Sequence, residues 1–361
     1  MSPRPLVAVD AGPAARRAAT GTELYAREVS RRLPAAGPGI DWAFYSPRPA
    51  PGLGLDLFVM PFPRLWSQAR LPLELVRRRP RLFFAPAHVI PFWCPAPALT
   101  VVHDLAFERY PGAYGGAARA YLRATTRWAE RVCPTLIAVS EATRQDLVSM
   151  HGIDPRRIVV IPPGGGEPPP DGGEPPSGEG DAGRLRALGI DRPFALHVGR
   201  VEARKNQLAA LGAVERIPDL LLVCAGSVSD PVLGGKLGRS PRCRLLGRVD
   251  DEDREILYRQ ASALVFPSLH EGFGFPVLEA MGRGLPVVTV RISSLPEVAG
   301  EAALYVDDPG DAAALSAQLE RLLGDAGLRA RLVTAGRERA ALFTWDRCVG
   351  RIAEVIRSLI Q

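Results

Sequence analysis

Ala263-Leu264-Val265-Phe266-Pro267-Ser268-Leu269-His270-Glu271-Gly272-Phe273-Gly274-Phe275-Pro276-Val277-Leu278-Glu279-Ala280-Met281 runs from a short apolar segment, through a glycine-bearing turn, into a run of good helix formers. A four-residue apolar run bounded by turn residues reads as a strand buried on both faces. Glycines at 272 and 274 let backbone approach a ligand closely. The turn feeds a helix N-terminus, whose N–H groups and dipole favour an anion. Glu271 lies on the turn and Glu279 two turns into the helix, so the spacing lets both carboxylates face one ligand and accept hydrogen bonds from paired hydroxyls. The bland alternative is a strand-to-helix turn with two surface glutamates, and the glycine context disfavours it.

The same style recurs along the chain. Leu6–Val9, Leu82–Ala85, Leu99–Val102 and Leu136–Val139 in the first half, and Phe194–Val198, Leu220–Cys224 and Pro286–Val290 in the second, are short apolar runs separated by helix-like segments. Continuous apolar strands alternating with helices imply an α/β chain with doubly wound parallel sheets covered on both faces. Between the halves, 162–183 is so rich in proline and glycine that it reads as a linker, partly extended and partly flexible, unable to sustain a helix. The expected organisation is a Rossmann-like domain over 1–161, the linker 162–183, a second such domain over 184–345, and a terminal helix over 346–361. In that helix Val349, Ile352, Val355, Ile356 and Leu359 recur at helical spacing, an apolar stripe expected to pack back toward the first domain. Two such domains would face each other across a cleft.

Ligands of open α/β sheets sit beyond the carboxyl ends of strands, and unusual residues lie there. After Phe194–Val198 come Gly199-Arg200-Val201-Glu202-Ala203-Arg204-Lys205-Asn206, where Arg200 and Lys205 could clamp a diphosphate from two sides. Arginines outnumber lysines 43 to 2 in this chain, so a retained lysine is informative. His103-Asp104 follows Leu99–Val102, and Thr20-Gly21-Thr22 opens a helix after the first strand, where the Gly21 amide is a candidate phosphate contact. Asp251-Glu252-Asp253 fits an acidic metal-binding pattern, but it opens a helix, where acidic residues favour the dipole. No metal is therefore expected.

Composition sets further bounds. The 361 residues are 47% hydrophobic and 23% charged, with net charge +6, an ordinary soluble balance. Five scattered cysteines, odd in number, disfavour a disulfide framework or a zinc site and fit a reducing cytoplasm. No apolar run nears the ~18 residues of a membrane span, and the N-terminus lacks the apolar core of a signal peptide. The charge is uneven: residues 1–161 hold 21 arginines, no lysine and 12 acidic residues. Arg70, Arg77, Arg78, Arg79 and Arg81 lie among Leu71, Leu73, Leu75, Val76, Leu82, Phe83 and Phe84, a pattern suited to peripheral contact with an anionic membrane at its inner face. That half lacks the interleaved aromatics of a nucleic-acid stacking platform, so nucleic acid is not an expected partner.

The residues from Glu271 to Glu279 resemble the E-x7-E signature of retaining GT-B-fold glycosyltransferases, specifically glycosyltransferase family 4. Gly199-Arg200 with Lys205-Asn206 resembles that family's phosphate clamp. Ser293-Ser294-Leu295-Pro296-Glu297-Val298-Ala299-Gly300, Ala302–Val306, His103-Asp104-Leu105 and Ala138-Val139-Ser140-Glu141 resemble its mannosyltransferase-like members. The resemblance implies a nucleotide-diphosphate sugar donor, GDP- or UDP-linked, with no other cofactor and no metal, and a saccharide or lipid-linked acceptor on the N-terminal side. It implies that Arg200 and Lys205 bind the diphosphate and Glu279 the ribose hydroxyls. Glu271 and the amides of Phe273, Gly274 and Phe275 would hold the donor sugar, with Pro276, Val277 and Leu278 completing that loop-to-helix segment. Arg248 and Val249 would meet the base, Gly21 the phosphates, and His103 the sugar near the anomeric carbon. Glu271, His103, Arg200 and Lys205 would carry the catalytic work. The chain departs from the family pattern over Ala11–Ala19, which carries Arg16 and Arg17 in place of several glycines, and at 282–284, which read Gly-Arg-Gly. The competing readings are a non-catalytic sugar-nucleotide-binding subunit and a GT-B-fold phosphorylase; no lysine is placed for the pyridoxal cofactor of the latter.

Overall fold

A computed structural model of the chain describes residues 3–16, 21–62, 65–167 and 179–361. The chain divides into two compact units: Met1–Gly164 with Thr344–Gln361, and Gly165–Phe343.

The first unit is built on seven strands: β1 (Leu6–Asp10), β2 (Asp41–Ser46), β3 (Leu57–Val59), β4 (Leu82–Ala85), β5 (Ala98–Val102), β6 (Leu136–Ala138) and β7 (Ile158–Val160). Their order is β3-β2-β1-β4-β5-β6-β7, and every pairing is parallel. The second unit has β8 (Phe194–Val198), β9 (Leu221–Ala225), β10 (Cys243–Gly247), β11 (Ala263–Phe266), β12 (Val287–Val290) and β13 (Ala303–Val306), in the order β10-β9-β8-β11-β12-β13, again all parallel. Helices link most successive strands, but β4 passes to β5 through residues 86–97 without one, and β2 is joined to β3 by a single 3-10 turn, Pro51–Leu53. Central strands such as β4, β5, β11 and β12 are buried along their whole length, as a parallel sheet covered on both faces requires. These are the doubly wound parallel sheets expected of a GT-B chain.

In each sheet the strand order reverses once, between β1 and β4 in the first and between β8 and β11 in the second. Such a reversal parts the loops leaving the two strands and opens a crevice at their carboxyl ends. In the second unit those loops are 199–206 and 267–274.

The terminal helix, Trp345–Ile360, starts at Thr344, whose hydroxyl accepts from the Arg347 amide. Val349, Ile352 and Ile356 of its apolar stripe are fully buried, and Val355 and Leu359 are half-buried. It packs along the helix Gly21–Ala36, with an Arg32–Asp346 ion pair at 3.1 Å and Arg81 donating to the Ile360 carbonyl at 3.3 Å. Thr344 and Trp345 therefore go with the first unit rather than ending the second.

The stretch 162–183 differs from a flexible linker at both ends. A Cβ on Gly164 would sit 2.2 Å from the Trp345 nitrogen, and one on Gly166 would sit 2.0 Å from the Ala340 carbonyl oxygen. These glycines permit close backbone packing. At the other end Glu179–Ala187 is helical. The buried Asp181 carboxylate there accepts three bonds from Arg259, at 2.8–3.0 Å, and one from Gln260 at 2.9 Å. That docking holds the helix where its composition would not. Residues 168–178 of the expected linker lie outside the described residues.

Candidate functional site

The centre of the second unit's strand-end cluster is Glu271, just past β11 and 7% exposed. Its Oε1 accepts from Lys205 Nζ and from Ser268 Oγ, both at 2.6 Å. Arg204 reaches its Oε2 at 3.5 Å, donates to the His270 carbonyl at 2.6 Å, and pairs with Glu202 at 2.8 Å. The Glu271 carbonyl accepts from Ser293 at 2.6 Å and Ser294 at 2.9 Å, and Ser294 also bonds the Phe273 carbonyl at 2.8 Å. Asn206 stitches the loops together by donating to the carbonyls of Pro267 and Pro309, at 3.1 and 2.6 Å. Both the side chain and the backbone of Glu271 are thus fixed before any ligand arrives, as a preorganised site needs.

The electrostatics follow from burial and pairing. Burial pushes the Glu271 pKa up, but the charges of Lys205 and Arg204 and the bonds from Lys205 and Ser268 outweigh it and bring it down to about 2. Burial lowers the Lys205 pKa against the opposing pull of Glu271. At neutral pH the carboxylate is ionised, and the short 2.6 Å contact marks a charge-assisted bond. Arg200, by contrast, is exposed, and its nearest carboxylate is Glu202 at 3.8 Å. Arg200, Arg204 and Lys205 against Glu202 and Glu271 leave this cluster with one net positive charge, chemistry suited to an anion.

The turn after Glu271 enters the helix Phe275–Gly282 through Gly274, which caps it at φ 104°. The positive φ calls for glycine there, and a Cβ would also press on the Leu295 side chain at 3.0 Å. Phe273 is buried against Phe275 and Phe343, with ring centroids 5.3 and 5.8 Å apart. Pro276 is half-buried in the first turn. Val277 and Leu278, expected to complete the donor-facing segment, are instead fully buried, and their amides donate to the Gly274 carbonyl at 3.0 and 3.4 Å. Glu279 is half-buried, and Tyr258 donates to its Oε2 at 2.7 Å. Arg248 is exposed and Val249 half-buried, directly after β10. The acidic run opens the helix Asp251–Gln260, where Asp250 caps the Asp253 amide at 2.8 Å and Arg184 pairs with Asp250, Glu252 and Asp253. Its carboxylates are engaged in a cap and a salt-bridge cluster.

Gly21 and His103 belong to the first unit. Gly21 is the exposed first residue of its helix, and the preceding residues 17–20 lie outside the described residues. His103 follows β5, and its Nε2 lies 2.9 Å from the Pro86 carbonyl oxygen. Its ring stands edge-on to Tyr25 at 4.8 Å, and Tyr25 in turn meets Trp345 at 5.9 Å. The terminal helix therefore buttresses His103 through Tyr25. Burial lowers the His103 pKa, which favours the neutral ring at pH 7.

Arg204, Ser268, Ser294 and Tyr258 complete the site and were not singled out from the sequence. Arg204 is one residue from Lys205, and only its burial separates it from the chain's many solvated arginines.

Breaking the Lys205–Glu271 pair from one side should be costly, about 3–5 kcal/mol for a buried pair. Lys205→Met with Glu271→Gln should cost less than the sum of the two single changes in denaturant titrations; strict additivity would contradict the coupling. Because the Glu271 pKa is depressed, its contribution is fully present above the unfolded value near 4.5 and lost as pH falls toward about 2. Glu271→Gln should flatten that acid limb of the stability profile.

The description "Glycosyl transferases group 1" matches residues 186–339, and "Glycosyltransferase Family 4" matches residues 19–164. The O-antigen chain mannosyltransferase B of Escherichia coli is 40% identical over 165 residues, covering 43% of each chain. The D-inositol 3-phosphate glycosyltransferase of Salinispora arenicola is 31% identical over 240 residues, covering 61% of this chain and 54% of the relative. The matched part thus spans about half the length of these curated relatives. Among solved structures, a sucrose-phosphate synthase from Thermosynechococcus elongatus superposes with a TM-score of 0.76 at 22% identity, covering 99% of both chains. HepE of Anabaena in complex with UDP and glucose gives 0.75 at 18% identity, covering 98% of this chain and 99% of that one. One matched family accounts for each unit, the GT-B fold covers the whole, and the chain belongs to the glycosyltransferases of the family 4 type.

Proposed function

We propose that this protein transfers a hexosyl unit, with mannose the leading candidate, from a nucleoside-diphosphate sugar to a saccharide or lipid-linked acceptor, with retention of configuration and without a metal ion. The observation that carries this reading is the net-positive cluster around the buried Lys205–Glu271 pair, at the strand reversal of the second unit. The mannose preference draws on the relatives named mannosyltransferases, and the nucleotide on the Anabaena neighbour solved with UDP and with UDP-glucose.

In this reading the diphosphate meets Arg200 and Lys205, with the dipole of the helix Phe275–Gly282 behind it. Charge developing on the leaving diphosphate is stabilised by these fixed positive groups, the task a divalent metal performs elsewhere. Lys205 is already desolvated, so little reorganisation accompanies the reaction. Glu271, ionised and locked, accepts hydrogen bonds from donor-sugar hydroxyls through the lone pairs left to it. Arg248 and Val249 flank the base.

The test is a binding screen with GDP, UDP, GDP-mannose and UDP-glucose, followed by transfer to saccharide and lipid-phosphate acceptors. At least one nucleotide should bind with micromolar affinity, and Lys205→Ala should weaken it at least tenfold. Failure of all four to bind would overturn the reading. Donor binding without transfer to any acceptor, in a protein where Glu271→Ala is harmless to a partner's catalysis, would favour the non-catalytic subunit.

The first unit supports a peripheral membrane role in the same reading. Phe58, Val59, Phe62, Leu65, Leu73, Val76, Phe92, Trp93 and Tyr121 are all at least 39% exposed. Gln68 ties part of this surface together by accepting from the Phe92 amide at 2.9 Å and reaching the Tyr121 hydroxyl at 3.4 Å. Arg78 lies over the Phe58 ring at 4.6 Å. The neighbouring acid Glu74 is buried and paired with Arg70 and Arg78, leaving Arg77 and Arg79 exposed and unneutralised by it. No helix among the described residues is long and apolar enough to cross a membrane. Each arginine near an anionic surface contributes roughly 1 kcal/mol. The protein should co-sediment with phosphatidylglycerol vesicles in a salt-sensitive manner and not with phosphatidylcholine vesicles. Leu73→Asp with Val76→Asp should abolish the binding; equal behaviour of wild type and variant would contradict it.

A further inference from the structure

The sequence 282–284, Gly-Arg-Gly, departs from the family pattern, and the structure gives its arginine a task. Arg283 donates to both oxygens of Glu255, one bond being 2.6 Å, and to the Glu279 backbone carbonyl at 3.1 Å. Its guanidinium lies over the Tyr258 ring, 5.1 Å from the centroid. Tyr258 is 1% exposed, and its hydroxyl donates to Glu279 Oε2 at 2.7 Å. Glu255 and Tyr258 come from the helix Asp251–Gln260, and Glu279 from the helix Phe275–Gly282. The chain Glu255–Arg283–Tyr258–Glu279 thus spans two helices flanking β11 and ends on a half-buried carboxylate.

We propose that Tyr258, clamped by Arg283, is a positioning residue that fixes the Glu279 carboxylate to receive the vicinal diol of a nucleotide ribose, and so sets the preference for ribo- over deoxynucleotides. The inference rests on the donor-binding reading above. The Glu279 side chain has three rotatable bonds, and a diol engages both of its oxygens only in a narrow range of orientations. The Tyr258 hydroxyl occupies one lone pair of Oε2 and leaves the other, with both of Oε1, for the two ribose hydroxyls. A buried tyrosine on a rigid helix freezes this choice in advance, so the ligand need not order the carboxylate. Burial, then the Glu279 charge, push the phenol well above its ordinary range, so it remains a donor throughout the working pH range. Arg283 holds the ring by its position over the face, and Glu255 holds Arg283.

Wild type, Tyr258→Phe and Arg283→Gln are titrated calorimetrically with GDP, UDP and their 2′-deoxy counterparts. Wild type should bind the better ribonucleotide about tenfold more tightly than its deoxy form, the scale of one hydrogen bond to a charged group. Tyr258→Phe should lower affinity for the ribonucleotide about tenfold and affinity for the 2′-deoxynucleotide, which keeps only the 3′-hydroxyl, much less, so that the ratio between them collapses, whereas general damage to the fold would weaken both alike. Arg283→Gln, which keeps the hydroxyl, should lower the same ratio about threefold and decides the matter if the phenylalanine variant does not fold. A discrimination ratio equal to wild type in the folded variants overturns this inference alone. A wild type that binds a nucleotide but does not distinguish ribose from deoxyribose overturns this inference alone; one that binds no nucleotide overturns the donor-site reading and this inference with it.

Discussion

A buried lysine facing a buried glutamate is the constraint around which the second unit is arranged. Lys205 Nζ and Glu271 Oε1 are 2.6 Å apart, and each is about nine-tenths removed from solvent. Taking either charge out of water alone costs several kcal/mol, so the two loops carrying them must arrive together. The parallel pairing of β8 with β11 brings the loop ends side by side. Asn206, Ser268, Ser293 and Ser294 then hold the backbone in register. The glycine turn and the helix Phe275–Gly282 follow from that anchoring, because Glu271 leads into them directly. A pair this tightly made is weak evidence for stability as such. Its placement at the strand reversal, beside an exposed Arg200, gives it meaning as a site.

Much of the architecture was legible because parallel strands buried on both faces leave continuous apolar runs. Leu82–Ala85, Phe194–Val198 and Ala263–Phe266 coincide with β4, β8 and β11. Two of the strands that escaped notice, β2 and β10, lack that mark; the other two, β3 and β7, are the edge strands of the first sheet and lie in the apolar runs Leu57–Met60 and Ile158–Ile161. β2 begins with the exposed Asp41 and lies among proline and glycine; β3 and β7 are three residues long; β10, at the sheet edge, carries the exposed Arg244. The helix Glu179–Ala187 escaped for a different reason. Its own sequence does not demand a helix, and the Asp181–Arg259 bonds, 78 residues apart, hold it in place.

The site was legible where side-chain type and spacing carry the chemistry and hidden where tertiary contact does. Glu271, Glu279, Arg200 and Lys205 stood out against an arginine-rich background, and the structure brings Lys205 and Glu271 into contact. Arg204 and Tyr258 are an ordinary arginine and an ordinary helical tyrosine until burial shows where their polar ends go. Val277 and Leu278 illustrate the converse: they sit inside the signature segment, yet their amides and side chains are consumed by the helix and core. The charge imbalance also sharpened. The basic surplus of the first half includes Arg70 and Arg78 neutralised by Glu74, while Arg77 and Arg79 remain exposed beside apolar surface.

The chain's scarcity of lysine makes the central claim directly measurable. Lys205 and Lys236 are its only two lysines, so protein labelled with isotope at the lysine side chains gives two signals, assigned with Lys236→Arg. Lys205 is buried on Glu271 while Lys236 is exposed. Titration with GDP or UDP should shift the Lys205 side-chain resonance in saturable fashion and leave that of Lys236 in place. Nucleotide binding that leaves the Lys205 resonance unmoved would contradict the assignment of this ion pair as the diphosphate site.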